Sequence, residues 1–375
     1  MIAPFACAPD FDPPILDSIV SGPYSGAIDC DVHPAVPGTA ALMPYLDPYW
    51  REMHALRDLD RMDLMSYPPS VPLSGRSDWR PATGTPGSDF NLLQKQALDH
   101  FGVRFAICNC IYGAQAFYDE NMAAAFCRAT NDWIRNDWLD RDPRLRASIV
   151  LPAQNPDLAA DEIERLAGDK RFVQVLLLAR CELPLGRKFY WPIYRAAERH
   201  GLPVGIHAGS MFRHSPTQCG HPSFFVEDYI AQTQAFAAQL TSFVSEGVFS
   251  KFPEMKVVLI ESGVTWLPAM IWRFGKDWRG IRAEIPWVRS TPGAIIRDHV
   301  RLTVQPLDGP SNPKDVERIL EHLGSEDLLL FSTDYPHWQF EGDAALPSGL
   351  AENLLRKILV ENPLATYPRL KETMQ

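Results

Sequence analysis

Asp31-Val32-His33 closes a short apolar run near the start of the chain. Side chains alternate along a strand, so a carboxylate and an imidazole two positions apart face the same way and can close on one metal ion. Alone the triplet is weak, because short motifs of this kind often bind nothing. Its weight comes from three later apolar runs that also end in chemistry: His207 in "GIHAGS", Glu261 in "LIESG" and Asp334 in "FSTDYPHW". Histidines and carboxylates gathered with an open position suit a catalytic divalent ion; Zn2+ is the expected metal and Mn2+ tolerates the same set. Core packing does not explain them, since unpaired ionisable groups are costly to bury. His337, just past Asp334, is placed to contact substrate. His214 and His221 follow the His207 run in a loop with Arg213, whose planar fork suits a carboxylate substrate. His54, His100, His200 and His322 lie in helical or turn contexts and read as structural.

These residues need a frame that brings distant strand ends together. Strand-like runs lie at 27–33, 104–112, 145–152, 172–179, 202–209, 255–262, 299–304 and 328–334. Most are continuously apolar, as parallel strands buried on both faces are. Helical patterns alternate with them: Asn155-Pro156 and Asn312-Pro313 read as a cap followed by proline at the first helical position, and Gly201 as a stop. Eight such units predict a (β/α)8 barrel over residues 27–375, preceded by an extension at 1–26. The alternative, an open doubly wound sheet, lacks a glycine-rich phosphate fingerprint after its first strand. Reactive side chains of a barrel sit at the C-terminal ends of its strands, where all of these candidates fall. Residues 34–100 break the rhythm and are rich in Pro, Gly and Ser in their middle. We read them as a lid over the mouth with short helices around 41–65 and 91–101; a surface or dimer-contact excursion is the alternative.

Composition bounds the partners. The chain has 375 residues, 46% hydrophobic, enough for a large core. A net charge of -10 argues against nucleic acid or an anionic membrane. Seven cysteines at irregular spacing form no disulfide framework; Cys108 and Cys110 read as buried thiols in a reducing, cytoplasmic setting. No secretory leader is expected at the N-terminus, and no apolar stretch reaches the ~20 residues of a membrane span. A small-molecule substrate is expected, and a homodimer through the long helix at 224–247.

Asp31-x-His33, "PVGIHAG", "GVFSKFPEMKVVLIESGVTWLPAMIWR", "LLFSTDYPHWQFE", "QPL" and "ILVENPLATYPRL" together resemble the amidohydrolase superfamily. The resemblance is to its amidohydrolase-2 branch, which contains aminocarboxymuconate-semialdehyde and aromatic acid decarboxylases, and it runs from about residue 27 to the end. It implies a barrel in which Asp31, His33, His207 and Asp334 hold one divalent metal, with Asp334 also moving a proton. "VLLLAR" ends in no lysine, so a bridging carbamate and second metal are not expected. Family decarboxylases carry His where this chain has Glu261, and several carry His or Glu where it has Asp31. Glu261 can transfer a proton if burial raises its pKa, but cannot act as an imidazolium. An acidic mouth of Asp31, Glu261 and Asp334, with no strand-end Arg or Lys to receive a carboxylate, leans towards a hydrolase. In that reading metal-activated water attacks an amide, ester, lactone or C–C bond, with Asp334 and Glu261 handling protons. The alternative is non-oxidative decarboxylation of an aromatic or unsaturated acid; a non-catalytic barrel with a structural metal is the third reading.

Overall fold

The structure, a computed structural model, describes residues 23–57, 75–209, 214–310, 312–337, 345–346 and 349–372. Eight strands run in chain order: β1 Ile28–Val32, β2 Phe105–Cys108, β3 Leu145–Val150, β4 Phe172–Leu178, β5 Val204–His207, β6 Val257–Ile260, β7 Val300–Thr303 and β8 Leu329–Leu330. Each pairs in parallel with the next. Past β8 the chain returns to β1: Cys30 N donates to Phe331 O at 2.9 Å, Asp334 N to Asp31 O at 3.0 Å and His33 N to Tyr335 O at 2.7 Å. The sheet therefore curls into a barrel, as the alternating pattern predicts.

Every residue of every strand is buried. The apolar runs supply both faces: Val175, Leu177 and Ile206 join the large core under the helices, while Ile28, Ile107, Leu176, Val258 and Leu330 fill the barrel axis. Several strands stop before their apolar runs do. Glu261 and Asp334, one and four residues beyond β6 and β8, take left-handed backbone conformations with φ of 57° and 55°. Non-glycine residues rarely sit there, and such strain gathers at functional sites.

The helices begin as their caps require. Asn155 accepts from Leu158 N at 3.1 Å before Pro156–Leu166, and Asn312 from Lys314 N at 3.1 Å before Pro313–Leu323. Asp119 accepts from the amides of Asn121 and Met122 at 3.0 Å and opens Glu120–Ile134. In the 34–100 region, the described residues include a 3-10 turn at Thr39–Tyr45, a helix at Pro48–Arg57 and a helical stretch from Phe90 to Asp99; 58–74 lie outside the described residues, as do 1–22. Arg76 N donates to Pro336 O at 2.8 Å, tying part of this region to the loop after β8, and Ala35 N donates to Gly87 O at 3.0 Å within the region itself. Gly87 has φ +82°, and a Cβ there would meet the His33 carbonyl oxygen at 2.3 Å. Only glycine allows that approach.

The far end of the barrel is sealed by the C-terminal residues. Tyr367 and Leu370 enter the axial cluster beside Ile28, Cys30 and Phe105. Between them Arg369 spends its guanidinium on main-chain carbonyls, Phe172 O at 2.8 Å, Ala167 O at 3.1 Å and His200 O at 3.1 Å. We predict that Leu370→Ala lowers unfolding free energy by about 2 to 5 kcal/mol, the cost of a cavity in a packed core. Ile281→Ser, at a side chain 61% exposed, should stay within about 0.5 kcal/mol. Urea denaturation of both variants checks the contrast; equal effects would show that the plug is not packed as described.

Candidate active site

Strict alternation does not aim β1. Its register with β2 shifts between Asp29 and Val32. Cys30 packs in the barrel axis while Val32 joins the outer core, so the irregularity turns Asp31 into the mouth beside His33, as β-bulges re-aim side chains. His33 Nδ1 lies 2.8 Å from Asn109 O, and His207 Nδ1 donates to Ala208 O. Each carbonyl can only accept, so Nδ1 carries a proton in each ring and Nε2 is the nitrogen turned to the mouth, where the facing carboxylates favour its protonation unless an ion takes its place.

Those two nitrogens meet the carboxylates. His33 Nε2 lies 3.2 Å from Asp31 Oδ1, 3.2 Å from Glu261 Oε1 and 3.1 Å from Asp334 Oδ1. His207 Nε2 lies 3.1 Å from Glu261 Oε1 and 3.8 Å from Asp31 Oδ2. His337 stacks on His33 with ring centroids 4.4 Å apart, and its Nδ1 sits 2.5 Å from Asp334 Oδ1 and 3.3 Å from Glu261 Oε1. Two overlapping groups result: Asp31, His33, His207 and Glu261, and His33, Glu261, Asp334 and His337, each with ligand atoms within 4.8 Å of one another. Ligands about 2.1 Å from one ion stand about 3 to 4.2 Å apart, so the spacing fits. The test of fit is chemical as well. Asp31 Oδ2, His33 Nε2, His207 Nε2, Glu261 Oε1 and Asp334 Oδ2 are buried and make no hydrogen bond. Unmatched acid and imidazole atoms gathered in these two overlapping groups fit the donor set of a divalent metal ion.

Burial and mutual charge set the protonation of the cluster. Burial favours the neutral form of Asp334, and the Glu261 charge adds to it, pushing its pKa up to about 6. Burial would also raise Glu261, but the His207, His33 and His337 imidazoles outweigh it and hold the carboxyl well below its usual range. Burial opposes charge on His337 too, yet Asp334 and Glu261 carry it up to about 9. The condition set for Glu261 as an acid, a pKa raised by burial, is not met: three imidazoles face its carboxyl and lower it instead.

Beneath the cluster a buried polar chain holds Asp31. Asn109 Nδ2 donates to Asp31 Oδ1 at 2.8 Å, Ser148 Oγ to Asn109 Oδ1 at 2.6 Å, Gln174 Nε2 to Ser148 Oγ at 2.8 Å, and Tyr367 Oη to Gln174 Oε1 at 3.0 Å. Asn109 thus touches both Asp31 and His33. Asp29 accepts from Thr333 N at 3.0 Å and Thr333 Oγ1 at 2.6 Å, fixing the residue before Asp334. Sequence reasoning misses these supports: Asn109 lies between two cysteines, and its one signal is a polar residue inside an apolar run.

The remaining candidates divide. His214 lies apart from the cluster, lining a cavity beside the ends of β3 and β4. His221 is exposed on the loop leading to Phe225–Ser245 and is in neither metal-ligating group. Arg213 lies outside the described residues. Arg180, two residues past β4, is buried and paired with Asp228.

The amidohydrolase-2 family model matches residues 28–369. Among curated relatives, gamma-resorcylate decarboxylase of Polaromonas sp. is 25% identical over 64% of this chain and 74% of its own length. The enzyme of the same name from Rhodococcus jostii is 25% identical over 67% and 82%. Two solved structures share the fold. The 2,6-dihydroxybenzoate decarboxylase from Rhizobium has TM-score 0.67 at 19% identity over 92% of this chain and 99% of that one. The 5-carboxyvanillate decarboxylase from Novosphingobium aromaticivorans, complexed with manganese and 4-hydroxy-3-methoxy-5-nitrobenzoic acid, has TM-score 0.68 at 17% identity over 92% and 97%. These findings overturn the hydrolase reading: the relatives are decarboxylases. That reading weighed the mouth's carboxylates without the three imidazoles that face them. The chain belongs to the amidohydrolase-2 family, as an enzyme of that barrel fold with a site for a divalent metal ion and a small-molecule substrate.

Proposed function

We propose that the protein catalyses non-oxidative decarboxylation of a hydroxy-substituted aromatic carboxylic acid. The observation that carries this is the convergence of buried, unpartnered acid and imidazole atoms at the barrel mouth, together with relatives that are decarboxylases of phenolic acids by name. Asp31, His33, His207 and Asp334 are the proposed ligands, and Glu261, which belongs to both groups, is a fifth. Three carboxylates among five ligands favour manganese over the zinc first expected, since oxygen donors suit the harder ion. When bound, the ion supplies positive charge that lets an anionic substrate approach this acidic mouth.

The protein's own part is to hold and move a proton. The bond from ring carbon to carboxyl carbon breaks, its electron pair stays on the ring carbon, and one proton must arrive there as CO2 leaves. Asp334, with its raised pKa and its contact to His337, is the proposed donor; His337 restores its proton and steadies the ring against His33. The described parts of 34–100 are proposed to cover the mouth, supported by the bonds between Arg76 and Pro336 and between Ala35 and Gly87. Exposed Phe224, Val226 and Ile230 at the start of the long helix support a homodimer. Free thiols at Cys30, Cys108, Cys110 and Cys127 support a cytoplasmic setting. Among the described residues no helix is long and apolar enough to cross a membrane.

The deciding assay follows CO2 from manganese-loaded protein given 2,6-dihydroxybenzoate or 5-carboxyvanillate. We expect stoichiometric CO2 and the ring lacking that carboxyl group, and a His337→Asn variant slower by about 10²- to 10⁴-fold in kcat with its metal retained. Fully loaded protein that releases CO2 from no hydroxybenzoate sinks the proposal. Metal content should depend on pH with a definite sign. Protons compete with the ion for the Asp334 carboxyl, whose pKa burial raises, so occupancy is higher at high pH and declines as pH falls. Elemental analysis after equilibration at pH 8 and pH 5 reads this, and equal occupancy contradicts it. Asn109→Ala should weaken metal binding about 10- to 100-fold, as loss of an orienting partner does. Ser148→Ala, one bond further away, should do less; chelator competition ranks the two.

A further inference from the structure

Beside the metal-ligating cluster lies a cavity that the proposed chemistry does not use. Gln115, Gln154, Arg180, Leu177, Leu178 and His214 are among its lining residues, and none of its walls belongs to the carboxylate–imidazole group. One of its walls lies on the strand next to the one that carries His207. Leu178 pairs with His207 across β4 and β5, and Ala179 N donates to His207 O at 2.8 Å.

The cavity carries unspent hydrogen-bonding capacity. Arg180, 5% exposed, gives Nη1 and Nη2 to Asp228 at 2.8 and 2.7 Å, which leaves its buried Nε–H without a partner. Gln115, 9% exposed, has neither its amide oxygen nor its amide nitrogen bonded. Gln154 donates Nε2 to Phe117 O at 2.8 Å but leaves a buried Oε1 unmatched. By contrast, the Cys181 thiol is taken up by Leu183 O at 2.9 Å. Buried polar atoms are nearly always matched in proteins, so three residues with unmatched atoms around one cavity are candidates to meet a ligand group. Its character is mixed: donors from Arg180 and Gln115, acceptors from Gln115 and Gln154. The Arg180 charge is already neutralised by Asp228, and Glu182 also lines the space. An additional carboxylate is therefore disfavoured. A neutral group that both donates and accepts, between leucine walls, fits.

We infer that this cavity is the specificity pocket for a phenolic hydroxyl on the substrate ring, remote from the reacting carboxylate, read by Gln115, Gln154 and the Arg180 Nε–H. The inference rests on the decarboxylase reading for the substrate class, but binding tests it separately. Calorimetric titration of manganese-loaded protein with benzoate, 3-hydroxybenzoate and 4-hydroxybenzoate is the measurement, with CO2 monitored in the same samples. The better hydroxybenzoate should bind about threefold to tenfold tighter than benzoate, the gain expected of one neutral hydrogen bond. Gln115→Leu should abolish that preference while leaving benzoate affinity within about twofold. Gln154→Leu, which gives up one hydrogen bond to the Phe117 carbonyl, serves if the first variant does not fold. Equal affinity for all three acids, no binding of any, or a preference that survives both variants overturns the pocket. A hydroxyl preference without CO2 release leaves the pocket standing and counts against the activity; CO2 release without the preference does the reverse.

Discussion

Everything at the mouth depends on balancing charge in a place where water cannot do it. Asp31 and Asp334 are fully buried and Glu261 nearly so, and their carboxylates crowd the Nε2 atoms of His33 and His207 at 3.1 to 3.8 Å. A buried ionised carboxylate is tolerable only when paired or bound to metal. The imidazoles, and an ion where one is bound, can supply that balance, which in the proposed reaction would also admit an anionic substrate.

Rigid supports keep that balance from relaxing. The barrel closes through backbone bonds between β1 and the segment after β8, the two places that carry Asp31, His33, Asp334 and His337. The buried chain from Tyr367 through Gln174, Ser148 and Asn109 links the C-terminal plug to Asp31. Room for it is built into the backbone. A Cβ on Gly205 would meet the Gln174 amide at 2.6 Å, so glycine there lets β5 pass beside the chain. Stability at one end of the barrel and ligand geometry at the other are therefore held by the same contacts.

The failure of the hydrolase reading has a physical lesson. Counting side chains at strand ends suggests a mouth that repels anions. In three dimensions Glu261 is answered by His33, His207 and His337, and its carboxyl falls well below its usual range where burial alone would have raised it. Sign of charge at a site depends on which groups meet, and linear order does not report that.

What the sequence by itself determined is the frame: eight apolar runs, caps such as Asn155-Pro156 and Asn312-Pro313, and polar residues at strand ends. These are local properties of periodicity and backbone preference, and they gave the barrel, its strand order and the placing of Asp31, His33, His207, Glu261 and Asp334 at one rim; the four-ligand set was implied by the family resemblance. The tertiary structure decided the rest. The register shift in β1 turns Asp31 inward against simple alternation, Glu261 joins both metal-ligating groups, Asn109 braces two of their members, and Arg180 is buried with Asp228 beside an unmatched Gln115. Each of these rests on a contact between residues far apart in the chain, whose energy exists only once the barrel has closed.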